Sequence, residues 1–221
     1  MKPEEFDPGP LAQVAHRQST GGATLVFTRG FDHTPEAIWA ALTDPEKLRE
    51  WAPFTADRDL SSPGTATLIM IDEPDGDKLA TTVSRADRPL LLEYTWGEDT
   101  LVWVLRPTGA GTEVTLLHSM RDRTMEPVTA AGWHLCFVVV DHLLSGQRIG
   151  PIVGSDAPRY GCQALRDAYA AALGMVDGGA DAAATQDAAD PQDAGGAGNR
   201  GGRPSHHISF VREFEVRRAH L

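Results

Sequence analysis

The chain has 221 residues, 41% of them hydrophobic, with a formal net charge of −11 at pH 7, which predicts one ordinary domain with tails or two small ones. The acidic balance argues against nucleic acid and anionic membranes as partners, because both attract a basic surface. Two cysteines without CxxC spacing, no signal-like N-terminus and no apolar run long enough to span a bilayer favour a soluble, cytoplasmic protein.

Residues 1–22 are predicted to be an N-terminal extension, with at most a short amphipathic helix around residues 11–16. Residues 24–31 alternate in the way typical of a strand. Two short helices are then predicted in series, because Thr34-Pro35-Glu36 and Thr43-Asp44-Pro45-Glu46 each combine a capping side chain, an early proline and an acidic first turn. We expect Trp39 and Trp51, which lie on these helices, to pack into the core.

Strands and two helices are predicted for the remainder of the domain. Turn-rich breaks separate six further strands, at residues 55–60, 65–71, 78–86, 90–96, 100–106 and 112–120. Their short connections predict an antiparallel meander. Residues 131–146 show helical periodicity, and another helix is predicted at 162–173. The long helix is the only large apolar element left to cover one face of the sheet.

Four sequence stretches carry a resemblance to a known family. They are FTRGFDHTPEAIWAALTDPEKLREW, DRPLLLEYTWGED, GAGTEVTLLHSM and AGWHLCFVVVDHLLSG, which cover most of residues 24–146 in order. Together they resemble the START-like, or SRPBCC, superfamily, in its bacterial branch related to the C-terminal domain of the Hsp90 ATPase activator. The resemblance implies an α+β helix-grip fold over residues 23–175. In that fold a curved seven-stranded antiparallel sheet wraps around a long C-terminal helix, and two short helices follow the first strand.

A ligand site between the sheet and the long helix is the main functional prediction. In a helix-grip fold the inward faces of these two elements enclose a pocket. His118 shares strand parity with Val114, Leu116 and Met120, so it should face inward with them. Core packing remains an open alternative for each residue singly. The predicted lining residues are Trp96, Trp103, Leu116, His118, Trp133, Phe137 and Val140.

No catalytic constellation, metal site or cofactor is predicted. His134 and His142 lie about two helical turns apart, too far to share a metal ion, and no HExxH motif is present. Cys136 has apolar neighbours and is interpreted as a buried, inert thiol. The histidine pair at positions 206 and 207 is a weak metal candidate.

Three functions fit these observations. The first is a non-enzymatic protein that binds a small hydrophobic molecule. The second is an enzyme of the polyketide cyclase or aromatase type, which has the same fold. The third is a chaperone-interaction module, which we rank last because the acidic chain lacks a basic docking surface. Fold alone decides none of them.

The tail poses a separate question. Residues 176–204 are rich in Ala, Gly and Asp and are predicted to be a disordered linker. The stretch ISFVREFEV, residues 208–216, resembles LVFTRGFDH, residues 25–33, with Phe and Arg at matching positions. Residues 205–221 are therefore either the first strand of a truncated second copy of the domain or a chance similarity. In either case the segment is predicted to pair with a sheet edge and to support self-association.

Overall fold

The computed structural model describes residues 1–19, 22–71 and 76–175. In these ranges the chain forms one sheet of eight strands and four α-helices. The strands are β1 (Gln13–Ser19), β2 (Gly22–Phe31), β3 (Phe54–Ala56), β4 (Gly64–Met70), β5 (Lys78–Asp87), β6 (Leu91–Trp96), β7 (Asp99–Pro107) and β8 (Thr112–Met120). The helices are α1 (Pro35–Thr43), α2 (Pro45–Leu48), α3 (Glu126–Leu144) and α4 (Cys162–Ala172).

The sheet is curved and antiparallel throughout, in the order β1-β2-β8-β7-β6-β5-β4-β3. Strands β3 to β8 form the predicted meander, and β2 closes it by pairing with β8. The inward faces of these strands, together with α1, α2, α3 and α4, form one hydrophobic core. This arrangement confirms the α+β helix-grip fold.

The sheet has eight strands rather than the predicted seven, because residues 13–19 form β1 instead of a short helix. β1 pairs with the outer edge of β2, from Gln13 opposite Thr28 to Ser19 opposite Gly22. The free edge of β2 supplies hydrogen-bond partners along the whole segment, so tertiary pairing decides its conformation. The predicted strand at 55–60 is also shorter, because the Leu60 N–H donates to the Thr43 carbonyl and directs the chain away from the sheet.

The two short helices start where the sequence predicts. The Thr34 hydroxyl accepts from the Ala37 N–H at 3.3 Å, and a carboxylate oxygen of Asp44 accepts from the Glu46 N–H at 2.9 Å. These bonds satisfy N–H groups that would otherwise lack intrahelical partners. Trp39 and Trp51 are 2% and 1% exposed, which confirms that both belong to the core.

α3 is the central helix of the fold and starts at Glu126, earlier than the periodicity predicts. The segment Arg123–Leu144 is long and apolar enough to cross a membrane, but 72% of its most apolar window is buried inside the fold. That burial is typical of the core helix of a soluble protein. α4 follows and packs against α3.

The predicted linker at 176–204 and the strand-like segment at 205–221 lie outside the described residues. Predictions about them remain predictions.

Candidate functional site

The fold brings all seven predicted site residues to the interface of the sheet with α3. Each is at most 6% exposed. The strand register sets Trp103 opposite Leu116, and Leu101 opposite His118, so β7 and β8 present their large side chains in adjacent rows. Leu116 and Val140 belong to the same buried core. Whether these residues contact a ligand stays a prediction.

Aromatic rings connect five of these residues into one cluster. The ring centroids of Trp96 and Trp133 lie 5.6 Å apart, those of Trp103 and Trp133 5.4 Å, and those of Trp103 and Phe137 5.8 Å. The His118 ring lies 5.6 Å from Trp96 and 6.2 Å from Trp133. Such edge-to-face and offset contacts add about 0.5–1.5 kcal/mol per pair beyond area burial. We call these five side chains the aromatic cluster.

His118 is held by hydrogen bonds at both ring nitrogens. The indole Nε1–H of Trp133 donates to His118 Nδ1 at 3.0 Å, and His118 Nε2 lies 2.9 Å from Asp99 Oδ2. An indole can only donate, so Nδ1 must carry the lone pair and Nε2 the proton. The imidazole is therefore assigned as the neutral Nε2–H tautomer, donating to the Asp99 carboxylate.

This arrangement orients His118 but leaves neither of its nitrogens free. A general base needs an available lone pair that can reach the substrate proton. In His118 that lone pair accepts the Trp133 indole proton instead. Sequence analysis identified His118 and Trp133 but missed Asp99, which follows the β6–β7 turn and lies opposite Trp96.

Two further polar groups in this core, the Tyr94 hydroxyl and the Cys136 thiol, are also neutral. The Trp103 indole N–H donates to the Tyr94 hydroxyl at 3.1 Å, and burial raises the pKa of Tyr94 above its usual range. Burial likewise raises the pKa of the Cys136 thiol well above its usual range. Both groups therefore stay protonated at neutral pH, which is consistent with the interpretation of Cys136 as inert.

A second buried network, which sequence analysis missed, connects the N-terminal segment to α3 and α4. The His134 Nε2–H donates to the Pro8 carbonyl at 2.8 Å, and its Nδ1 accepts from the Tyr169 hydroxyl at 2.7 Å. That hydroxyl accepts in turn from the Ala12 N–H at 3.0 Å. Desolvation lowers the pKa of His134 and raises the pKa of Tyr169 to about 12. The sequence showed only an isolated helical histidine here.

A third polar group lies where β1 meets the start of α3. The His16 Nδ1–H donates to Glu126 Oε1 at 2.7 Å, and Glu126 is fully buried. Arg123 Nε lies 3.5 Å from Glu126 Oε2. The pair attaches the edge strand to α3, and sequence analysis missed it because no strand was predicted within the N-terminal extension.

Within residues 1–19, 22–71 and 76–175, no group of three or more His, Cys, Asp or Glu side chains is arranged to hold a metal ion. The histidines at 206 and 207 lie outside these ranges.

Comparison with solved structures shows which proteins share this fold. The protein EF2215 of unknown function from Enterococcus faecalis is 16% identical with a TM-score of 0.56, covering 72% of this chain and 92% of its own. CalU16 from Micromonospora echinospora is also 16% identical with a TM-score of 0.54, covering 73% and 96%. Protein SSP2350 from Staphylococcus saprophyticus is 23% identical with a TM-score of 0.50, covering 57% and 95%. Such identities show a shared fold alone.

The comparison with curated proteins gave no match. A family model described as Activator of Hsp90 ATPase homolog 1-like protein matches residues 32–144, just over half of the chain. The match runs from the end of β2 to the end of α3 and so includes all seven predicted site residues. The chain belongs to the family of Activator of Hsp90 ATPase homolog 1-like proteins.

Proposed function

We propose that this protein binds a small hydrophobic molecule between the inner face of the sheet and α3, without catalysing a reaction on it. The observation that carries the proposal is the aromatic cluster, which gathers five buried rings at this interface. Small-molecule sites are lined mainly by apolar and aromatic side chains with a few fixed polar groups. Here the fixed polar groups are Asp99, His118 and Tyr94.

The end of the sheet at the β6–β7 turn is the proposed approach for the ligand. Asp99 lies there with a side chain 12% exposed, whereas the side chain of its partner His118 is 1% exposed. The rings contact one another, so a ligand would enter by changing ring rotamers rather than by filling a preformed space. The aromatic rings would contact its apolar body, and the carboxylate of Asp99 would accept a hydrogen bond from its polar end.

A second candidate is an enzyme of the polyketide cyclase or aromatase type. The observation in its favour is the contact of Asp99 with His118, since a carboxylate that orients an imidazole is a recurring feature of general-base catalysis. The Trp133 hydrogen bond occupies the nitrogen that would accept a substrate proton. This geometry favours binding over catalysis.

A chaperone-interaction module is the third candidate and rests on the family description alone. The net charge of −11 supplies no overall basic field to attract an acidic partner. We therefore rank it below the other two.

The indole N–H signals of the five tryptophans provide a direct test of the proposed site. The probe is N-phenyl-1-naphthylamine, a neutral apolar dye whose binding the acidic charge of the chain does not oppose. It is titrated into ¹⁵N-labelled protein while the five indole signals are followed, each assigned from a Trp→Phe variant. We expect the signals of Trp96, Trp103 and Trp133 to shift with a common binding curve. Trp39, which lies on α1 outside the aromatic cluster, is the internal control.

Dye binding that leaves the three cluster signals in place, or that shifts only Trp39, would place the bound dye elsewhere and contradict the proposed site. Measurement of hydrogen exchange at the Trp133 indole adds a second readout. Exchange there should slow when the dye is bound, because the ligand would exclude water from the β6–β7 end.

A further inference from the structure

The described sheet ends in an open strand. β1 is the first strand in the sheet order, and within the described residues only β2 pairs with it. Its other edge therefore presents a row of backbone N–H and C=O groups to solvent over Gln13–Ser19. Natural proteins usually cover, shorten or charge such an edge, since it is a template for a further strand. β1 carries an exposed basic side chain on its outer face, that of Arg17.

The chain leaves the described fold beside this edge. The Tyr169 hydroxyl on α4 accepts from the Ala12 N–H at 3.0 Å, one residue before β1 starts. α4 ends at Ala172, one helical turn after Tyr169. Residues 176–207 then precede the apolar segment, and at about 3.3 Å per residue they reach on the order of 100 Å when extended. Residues 176–207 are therefore long enough for the segment to pair with β1.

The sequence of residues 208–216 matches the strand that β1 already accepts. β2 places Phe27, Arg29 and Phe31 at alternate positions, and the tail segment repeats Phe, Arg and Phe at 210, 212 and 214. β1 pairs antiparallel with this pattern in β2, with Val14 opposite Phe27. A strand with this alternation therefore already pairs with one edge of β1, and the tail segment has the same alternation for the other edge.

Charge and apolar positions favour one antiparallel register. With Glu213 opposite Arg17, position 214 falls beside His16 and position 216 beside Val14, because paired residue numbers have a constant sum. Residues 211–217 then lie opposite Gln13–Ser19, the full length of β1. Val14 and His16 are only half-buried at present. This register sets opposite charges on one face and a Phe and a Val beside the half-buried face, a favourable cross-strand combination.

We propose that the tail segment 208–216 adds to the free edge of β1 in the same molecule, as a ninth antiparallel strand in which residues 211–216 pair with residues 14–19. This is strand addition with an internal partner, so its hydrogen bonds come from the backbone and its register from alternate side chains. The inference does not depend on the ligand site, which lies under β6, β7 and β8.

Amide hydrogen exchange of the full chain, measured by mass spectrometry on peptides covering residues 13–19, tests the proposal. The test variant is Glu213→Pro, which removes a backbone donor and disfavours pairing within the segment. Its matched control is Ala184→Pro, the same kind of change in residues 176–204. In the parent chain, pairing with the tail segment should protect the β1 amides that point away from β2. We expect these amides to exchange about tenfold or more faster in Glu213→Pro than in the parent chain. Ala184→Pro should match the parent.

Equal exchange in all three proteins would overturn the proposal. A concentration series settles whose segment is bound. Protection that is independent of protein concentration, in a monomer by native mass, supports pairing within one molecule. Protection that grows with concentration together with a dimer would show that the segment of a second copy occupies β1, and would overturn the same-molecule assignment.

Discussion

Replacing Trp133 with Phe tests the network around His118. The substitution keeps an aromatic ring in the cluster but removes the indole N–H that donates to His118 Nδ1 at 3.0 Å. His118 is fully buried, so its lone pair would have no alternative water partner. An orphaned buried acceptor costs about 1–3 kcal/mol. Reduced ring contact adds roughly 1–2 kcal/mol, the lower part of the range for large-to-small core changes.

We therefore expect Trp133→Phe to lower the free energy of unfolding by about 2–5 kcal/mol in urea titrations. Trp39→Phe is the matched control, because Trp39 is similarly buried and its Nε1 has no hydrogen-bond partner within the described residues. It should show at most the packing component, about 1–2 kcal/mol, because the substitution also removes a buried donor that has no partner. The difference between the variants would appear as a melting-temperature gap of about 2–4 °C per kcal/mol for a domain of this size.

A double-mutant cycle separates the hydrogen bond from the packing. In a His118→Leu background, Trp133→Phe leaves no buried acceptor without a partner. There, Trp133→Phe should lower the free energy of unfolding by no more than Trp39→Phe does. Equal costs of Trp133→Phe and Trp39→Phe in the parent chain would refute the reasoning. An unchanged cost of Trp133→Phe in the His118→Leu background would refute it equally.

Three further outcomes follow from the structure. Gly111→Ala should destabilise the fold by roughly 2–3 kcal/mol. The Gly111 backbone has a φ of +156°, and a Cβ there would overlap the Phe31 carbonyl oxygen of β2. Gly109 has open space around it, so Gly109→Ala should change the stability measured in thermal melts by no more than about 0.5 kcal/mol. Burial lowers the pKa of His134 from its ordinary 6.5, so as the pH falls His134 is protonated in the unfolded chain before it is protonated in the folded one. The free energy of unfolding should therefore fall as the pH drops below 6.5, and His134→Gln should make this pH dependence less steep. The same pH dependence in His134→Gln and the parent chain would contradict the lowered pKa of His134. Cys136 and Cys162, the latter with its pKa raised to about 11 by burial, should react with Ellman's reagent at pH 8 only as fast as the protein unfolds; rapid labelling of the native protein would show them accessible.

Local sequence signals predicted the parts of the fold that depend on short-range chemistry. Thr34-Pro35 and Asp44-Pro45 specify where the two short helices start, and the capping bonds are present. Alternation over residues 112–120 placed His118 on the inner face, which its burial confirms. These features need only strand parity or helix capping, so the sequence contains them directly.

Features that depend on distant pairing were not predictable in the same way. Residues 13–19 are largely polar, and they form a strand because the far edge of β2 is open to them. The Asp99 carboxylate reaches His118 only because β7 and β8 pair in one particular register. Tyr169 reaches His134 only through the packing of α4 on α3. In both side-chain contacts the two residues lie 19 or more positions apart in the chain, and no local periodicity encodes such a contact.

The central claim, that the interface of the sheet with α3 takes up a small hydrophobic molecule, is tested most directly by native mass spectrometry of the purified full chain beside its denatured mass. The account predicts that the native protein carries a non-covalent adduct of a few hundred daltons, which is lost on denaturation. The Leu116→Asp variant should lack this adduct. The control Thr115→Asp, a substitution on the outer face of the same strand, should retain it. A native mass equal to the denatured mass, with no adduct before or after incubation with N-phenyl-1-naphthylamine, would contradict it.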